Sequence, residues 1–223
     1  MMDIINHGGP IMVPLLICSL VSLTVILDRM FYWIEIEKQQ DVEDVTRILQ
    51  LCRQCRWSQA EELSSESANL IIRILNQGIV HRQVSLTKAM ESQAKEEISK
   101  MRQRMGVLDT IITAAPLLGI FGTVLGIIVS FDLLGAGIKD PSAITAGISQ
   151  ALITTASGLG IAVLTLFPYN YLIAKIDKTI LRIERAATEL EIIKEIALVK
   201  QRKANRGFRN FVVTGKIANE AFN

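Results

Sequence analysis

The sequence predicts an all-α, polytopic membrane protein with three transmembrane helices, two of them extended into long cytoplasmic helices. Three observations predict it. Only 21% of the residues are Asp, Glu, Lys or Arg, and the stretches Gly8–Leu27, Thr110–Phe131 and Pro141–Ala174 carry none of them. Each of these stretches reaches the roughly 20 apolar residues that a helix needs to cross a bilayer core. Between and after them the apolar residues recur at helical spacing, and no alternating pattern calls for a β-strand.

The first run begins at residue 8, after a short outer segment 1–7, and is extended past Asp28 and Arg29 to give a span over 8–34. It lacks the basic leader and small-residue cleavage site of a signal peptide, and it contains Pro10 and Pro14. Phe31, Tyr32 and Trp33 fall where an interfacial aromatic belt belongs. The region 35–109 is expected to be cytoplasmic and helical. In Asp41–Ser67 the residues Val42, Val45, Ile48, Leu49 and Cys52 repeat at i, i+3, i+4 spacing, and the Glu61–Ser67 patch and Gly78 punctuate the segment. Ser85–Asp109 is expected to run unbroken into the second span, 110–131, because Gly106 alone is tolerable inside a helix.

A periplasmic turn, 132–140, leads to the third span, 141–174, and a cytoplasmic tail, 175–223. Ile173, Ile176, Ile180, Ile183, Ala187 and Leu190 step by three and four, which forms either a coiled-coil-like seam for self-association or the face of one helix lying on a neighbour. The end, Asn205–Asn223, is expected to fray. Eleven of the 24 Lys and Arg residues lie in 35–109 and eleven from Lys175 onward, whereas the segment before Gly8 has none and the turn has only Lys139. That asymmetry places the N-terminus outside and the C-terminus in the cytoplasm.

Composition excludes several functions. Basic residues are interleaved with acids along helical stretches, so no nucleic-acid footprint is formed. No metal-ligand set, nucleophile–base pair or phosphate loop is present, so neither an enzyme nor a cofactor is expected. Cys52 and Cys55 form a C-x-x-C, but a zinc site needs two further ligands, and His7 and His81 are the only histidines. Two ordinary cytosolic thiols are the better reading.

The second and third spans hold residues that a plain lipid anchor does not need. Gly119, Gly122 and Gly126 allow close backbone approach, with small-xxx-small spacing from Gly122 to Gly126, and Pro116 removes one helix bond. In the third span Gly147, Ala151, Thr155, Gly158 and Ala162 form a small-residue stripe beside a polar one, Gln150, Thr154 and Ser157. Helix packing explains the glycines well. It explains a mid-span Gln less well, since that amide has donors and an acceptor to satisfy. From the residues alone, a hydrated path and a polar packing cluster both stand.

Three motifs carry a family resemblance: HGGPIMVPLLICSLVSLTVILDR at 7–29, APLLGIFGTVLGI at 115–127 and AGISQALITTASGLGIAV at 146–163. Together they resemble the ExbB/TolQ/MotA proton channel family, closest to its ExbB-type subunits. The resemblance implies a homopentamer in the bacterial inner membrane whose second and third helices line a central pore. It also implies an ExbD- or TolR-like single-span partner with an intramembrane Asp, and proton flow that energises a TonB-like client in envelope transport. The family's pore threonines fall on Thr123 and Thr155, and the acid of the usual ISEAL-type motif falls on Gln150, which cannot titrate. The usual Glu-Arg at the inner end of the first span is Asp28-Arg29 here.

Three explanations of Gln150 follow. The partner's Asp is the only obligatory titrating group, as in MotA-like members that also lack this Glu; or the chain is an inactivated variant; or it is a non-conducting oligomeric scaffold of the same fold. Thr155 lies about 140° around an ideal helix from Gln150, so both cannot point down one axis, and Thr154 is nearer to the face of Gln150.

Overall fold

The computed structural model describes residues 9–39, 42–136 and 141–220, with side chains for all of these except Gln39, Val42, Ala143, Gln201 and 203–220. The outer segment 1–7 and Lys139 of the turn therefore lie outside the described residues. Among those described there are seven helices and no strand: α1 (Met12–Gln39), α2 (Val42–Arg53), α3 (Trp57–Ser65), α4 (Leu70–Val80), α5 (Leu86–Arg102), α6 (Met105–Gly135) and α7 (Pro141–Glu220). Three stretches, Met12–Lys38, Leu86–Gly135 and Ile144–Lys200, are long and apolar enough to cross a membrane. The chain divides into two compact units, Met1–Ile34 with Met101–Asp177, and Glu35–Lys100 with Lys178–Asn223.

In the first unit α1 meets the α6–α7 hairpin through a cluster of Met12, Leu15, Ile111 and Ala115, with Cys18, Leu118 and Ile161 packed against it. Many large apolar side chains of the same helices, such as Ile17, Leu20, Leu117, Leu152 and Phe167, remain exposed, as they must in a chain whose solvent there is hydrocarbon. An ionic junction joins the C-terminal part of α1 to the start of α6. Asp28 accepts from Arg29 at 2.8 Å and from Arg104 at 2.7 Å, and the buried Arg29 guanidinium lies 4.7 Å over the Tyr32 ring. Lys175 sits 5.7 Å above the buried Trp33 ring and 5.1 Å above Tyr171.

That junction accounts for one departure from the sequence reading. The helix leading into the second span does not run unbroken. It stops at Arg102 and restarts at Met105, with Arg104 in the left-handed region at φ 65°. A non-glycine residue pays about 1–2 kcal/mol for that conformation, which the pairing of Arg104 with Asp28 helps to offset.

In the second unit α2, α3 and α4 pack on one another. The sequence reading passed over α4, in which Leu70, Ile71, Ile72, Ile74, Leu75 and Ile79 are all buried and the polar face is a narrow strip of Arg73, Asn76 and Gln77 within a short apolar run. Asn69 caps it by accepting from the Ile71 amide at 3.0 Å. Gly78 is an interior helical residue and not punctuation, because a Cβ there would lie 2.6 Å from Met90 Cγ of α5. Glu97 is buried and accepts from Gln93 at 3.1 Å and from Lys100 at 3.4 Å, and also pairs with Arg73.

Two more expectations change. The seam after Ile173 is partly spent inside the chain, since Ile176, Ile183 and Leu190 are buried. Ile180, Ile183 and Ala187 line a cavity of about 380 Å³ together with Ile74, Met90 and Ile98. The tail stays helical through Gly207 to Glu220, as a segment without proline can.

The C-x-x-C is not a matched pair. Cys52 is buried in α2, whereas Cys55 is exposed after the helix end at φ 59°. Burial pushes the Cys52 thiol up to about 12. A thiolate is the reactive form, so Cys52 should stay inert between about pH 7 and 9 while Cys55 reacts. Maleimide labelling followed by peptide mass analysis should mark Cys55 within minutes and Cys52 only after denaturation. Equal labelling of both, or a ready Cys52–Cys55 disulfide, would restore a redox role.

Candidate functional site

The site is the hairpin of α6 and α7, and its geometry follows from the absence of side chains along one line. Gly119, Gly122, Gly126 and Ser130 are the buried positions of α6 facing Gly147, Ala151, Thr154, Thr155 and Gly158 of α7. A Cβ at Gly119 would stand 3.0 Å from Thr155 Cα and 3.1 Å from the Thr154 carbonyl. One at Gly126 would stand 2.9 Å from Ala151 Cβ and from the Gly147 carbonyl, and one at Gly158 would overlap the Ala115 carbonyl. The backbones therefore touch, which is how helices gain packing energy where no hydrophobic effect drives them together. By contrast a Cβ at Gly160 meets nothing within 4 Å.

Hydroxyls complete the seam. Thr155 Oγ1 donates across the hairpin to the Gly119 carbonyl at 2.9 Å. Thr154 Oγ1 donates to the Ala151 carbonyl at 2.7 Å, is 1% exposed and fills the space beside Gly122. Ser130 Oγ donates to the Gly126 carbonyl at 2.9 Å and reaches the Ile144 carbonyl at 3.4 Å. Thr123 differs: it lies off the seam, partly exposed, and its Oγ1 donates to the Ile120 carbonyl of its own helix at 2.6 Å.

The structure thus brings Thr154 and Thr155 together with Gly119 and Gly122 on the hairpin contact, and leaves Thr123 on a different face of α6. Gln150 is half-buried and lies against Gly9, at the start of the first span. Sequence reasoning quoted Gly9 only as part of a motif and gave it no role. The Gly-Gly-Pro run opening an apolar span was the signal available. Ser130, Ala115 and Arg104 were also missed, and each makes a contact that depends on a helix distant in sequence. Among the described residues no group of three His, Cys, Asp or Glu is placed to hold a metal ion.

These features define a multi-pass membrane protein built around a tightly sealed, hydroxyl-bearing hairpin. The MotA/TolQ/ExbB proton channel family matches residues 66–185, which include α6 and the first part of α7, with every contact of the hairpin described above. The biopolymer transport protein ExbB-like 1 of Synechocystis sp. is 33% identical over 205 residues, 86% of this chain and 78% of that protein. ExbB-like 3 of the same organism is 32% identical over 169 residues, 73% of this chain and 80% of its own length. The Tol-Pal system protein TolQ of Haemophilus influenzae is 35% identical over 91 residues, 40% of each chain. The chain belongs to the MotA/TolQ/ExbB proton channel family and is an ExbB-type subunit of the inner membrane.

The seam makes a quantitative prediction. Gly119→Ala and Gly158→Ala, which press a methyl group onto backbone, should each destabilise the protein by about 1–3 kcal/mol. Gly160→Ala should be neutral or slightly stabilising, since the site is open and alanine favours the helix. Thermal unfolding in mild detergent tests this, and equal midpoints for all three variants would show that the hairpin is looser than described.

Proposed function

We propose that this subunit assembles as a homo-oligomeric ring, a pentamer on the family pattern, in which the second and third spans surround a central path. A single-span, ExbD- or TolR-like partner with an intramembrane Asp occupies that path, and the proton-motive force drives it to energise envelope transport through a TonB-like client. The spans keep the orientation read from the basic residues, with the N-terminus outside, 35–109 and 175–223 in the cytoplasm, and the turn 132–140 in the periplasm. The relatives named for biopolymer transport and for the Tol-Pal system support this reading.

The observation that carries it is the placement of Thr123. Its hydroxyl is partly exposed on a hairpin whose contact line is sealed by glycine, so it is a polar group of the second span that faces something other than α7. Thr155 lies on the hairpin contact with part of its surface open, and Thr154 is enclosed. We therefore assign the lining of the path to Thr123 and Thr155, give Thr154 to packing, and place Gln150 at the outer rim of the path. Proton transfer belongs to the partner's Asp, since Gln150 has no titrating group. That same fact favours the second reading, a non-conducting scaffold of the same fold.

Purification from native membranes, reconstitution into vesicles and measurement of proton uptake separate the two. The motor reading expects a bound single-span chain with an intramembrane Asp, and a proton flux that Thr123→Val lowers about tenfold, the scale of one lost polar contact of about 1.4 kcal/mol. A ring without such a chain and without flux would leave the scaffold.

A further inference from the structure

Gln150 is a carboxamide of the third span, with donors as well as an acceptor, and the fold sets it on the turn that opens the first span. Gly9 has φ 67°, in the left-handed region. Its carbonyl accepts from the Met12 amide at 3.1 Å and that of Pro10 accepts from Val13 at 3.3 Å, so the chain turns sharply into α1. A Cβ built on Gly9 would overlap Gln150 Nε2 and stand 2.9 Å from its Cδ. Glycine is therefore required twice over at this position, once by the sign of φ and once by the space the amide fills. One turn further along α7, Thr154 lies against Gly122 of the second span. The polar stripe of the third span thus meets a different helix at each step.

We propose that Gln150 is a positioning residue whose amide seats the Gly9–Pro10 turn of the first span on the third span of the same chain. This fixes the outer end of α7 without taking part in proton transfer. A backbone turn presents carbonyls and amides together. A carboxamide can donate to the first and accept from the second, whereas an ionised carboxylate only accepts. The contact explains why a neutral amide suits the position where the family resemblance expects an acid, and it makes the first span a part of the site. The inference deepens the assignment of the hairpin as the functional site and rests on it for the transport readout alone.

Two measurements on the full-length chain test the contact. In native membranes, Gly9→Cys with Gln150→Cys should form a disulfide within one chain on mild oxidation, located by peptide mass analysis. Cross-links only between chains, or none, would overturn the contact. In the second measurement Gln150→Ala, which removes the amide, should lower proton flux several-fold, and Gln150→Glu, which keeps the size but loses the donors when ionised, should lower it as well. Unchanged flux in Gln150→Ala, or raised flux in Gln150→Glu, would overturn the positioning role even if the disulfide forms. Should the double-cysteine chain fail to accumulate, these fluxes alone decide. A wild-type protein that conducts nothing but forms the disulfide would reject the motor and keep the contact.

Discussion

Close approach of α6 and α7 is the constraint from which the rest of this structure follows. Two helices can touch backbone to backbone only where side chains are missing, and Gly119, Gly122 and Gly126 clear one continuous line on α6 for Gly147, Ala151 and Gly158 of α7. The line has room for hydroxyls but for nothing larger, which is why Thr154, Thr155 and Ser130 are the polar residues found along it. Apolar bulk is displaced to the outside. Leu117, Ile120, Leu152 and Leu164 stay exposed for lipid or for other chains because no space remains for them within the hairpin.

Where the C-terminal part of α1 meets the start of α6, charge joins packing as an organising force. Asp28 joins two arginines, one on its own helix and one at the start of α6, and the second is held in a left-handed conformation that lysine, arginine and most other residues avoid. Helix propensity in Ser85–Asp109 favours one uninterrupted rod. The break falls at one residue, where the pairing of Arg104 with Asp28 offsets part of the cost of the left-handed conformation, about 1–2 kcal/mol.

This competition shows where the sequence was legible. Three spans, the glycine spacing and the family motifs could be read directly, because apolar length and small-residue periodicity act locally along one helix. The break at Gln103–Arg104 could not, because its cause is Asp28, far away in sequence. The orientation of Gln150 was hidden for the same reason: helical geometry separated it from Thr155 but could not say that Gly9 waits on its side. The seam from Ile173 to Leu190 had the period of a coiled coil, yet periodicity does not reveal whose helix covers it. Here α4, α5 and α7 share a cavity, so part of that apolar face belongs to the fold of the chain itself. The apolar α4 escaped notice because its polar strip, Arg73, Asn76 and Gln77, is narrow and the helix is short.

The hydroxyls carry one more consequence, and it concerns polarity. Thr123 gives its hydrogen to Ile120, Thr154 to Ala151, Thr155 to Gly119, Ser130 to Gly126 and Thr165 to Ile161, each to a main-chain carbonyl. A hydroxyl that has donated in this way retains only its lone pairs for anything that approaches. Thr154, Ser130 and Thr165 are buried, so it is Thr123 and Thr155 that keep such lone pairs partly open, and a surface offering electron pairs without matching hydrogens favours a cation over an anion. Charge selectivity of that kind requires no ionised side chain at all.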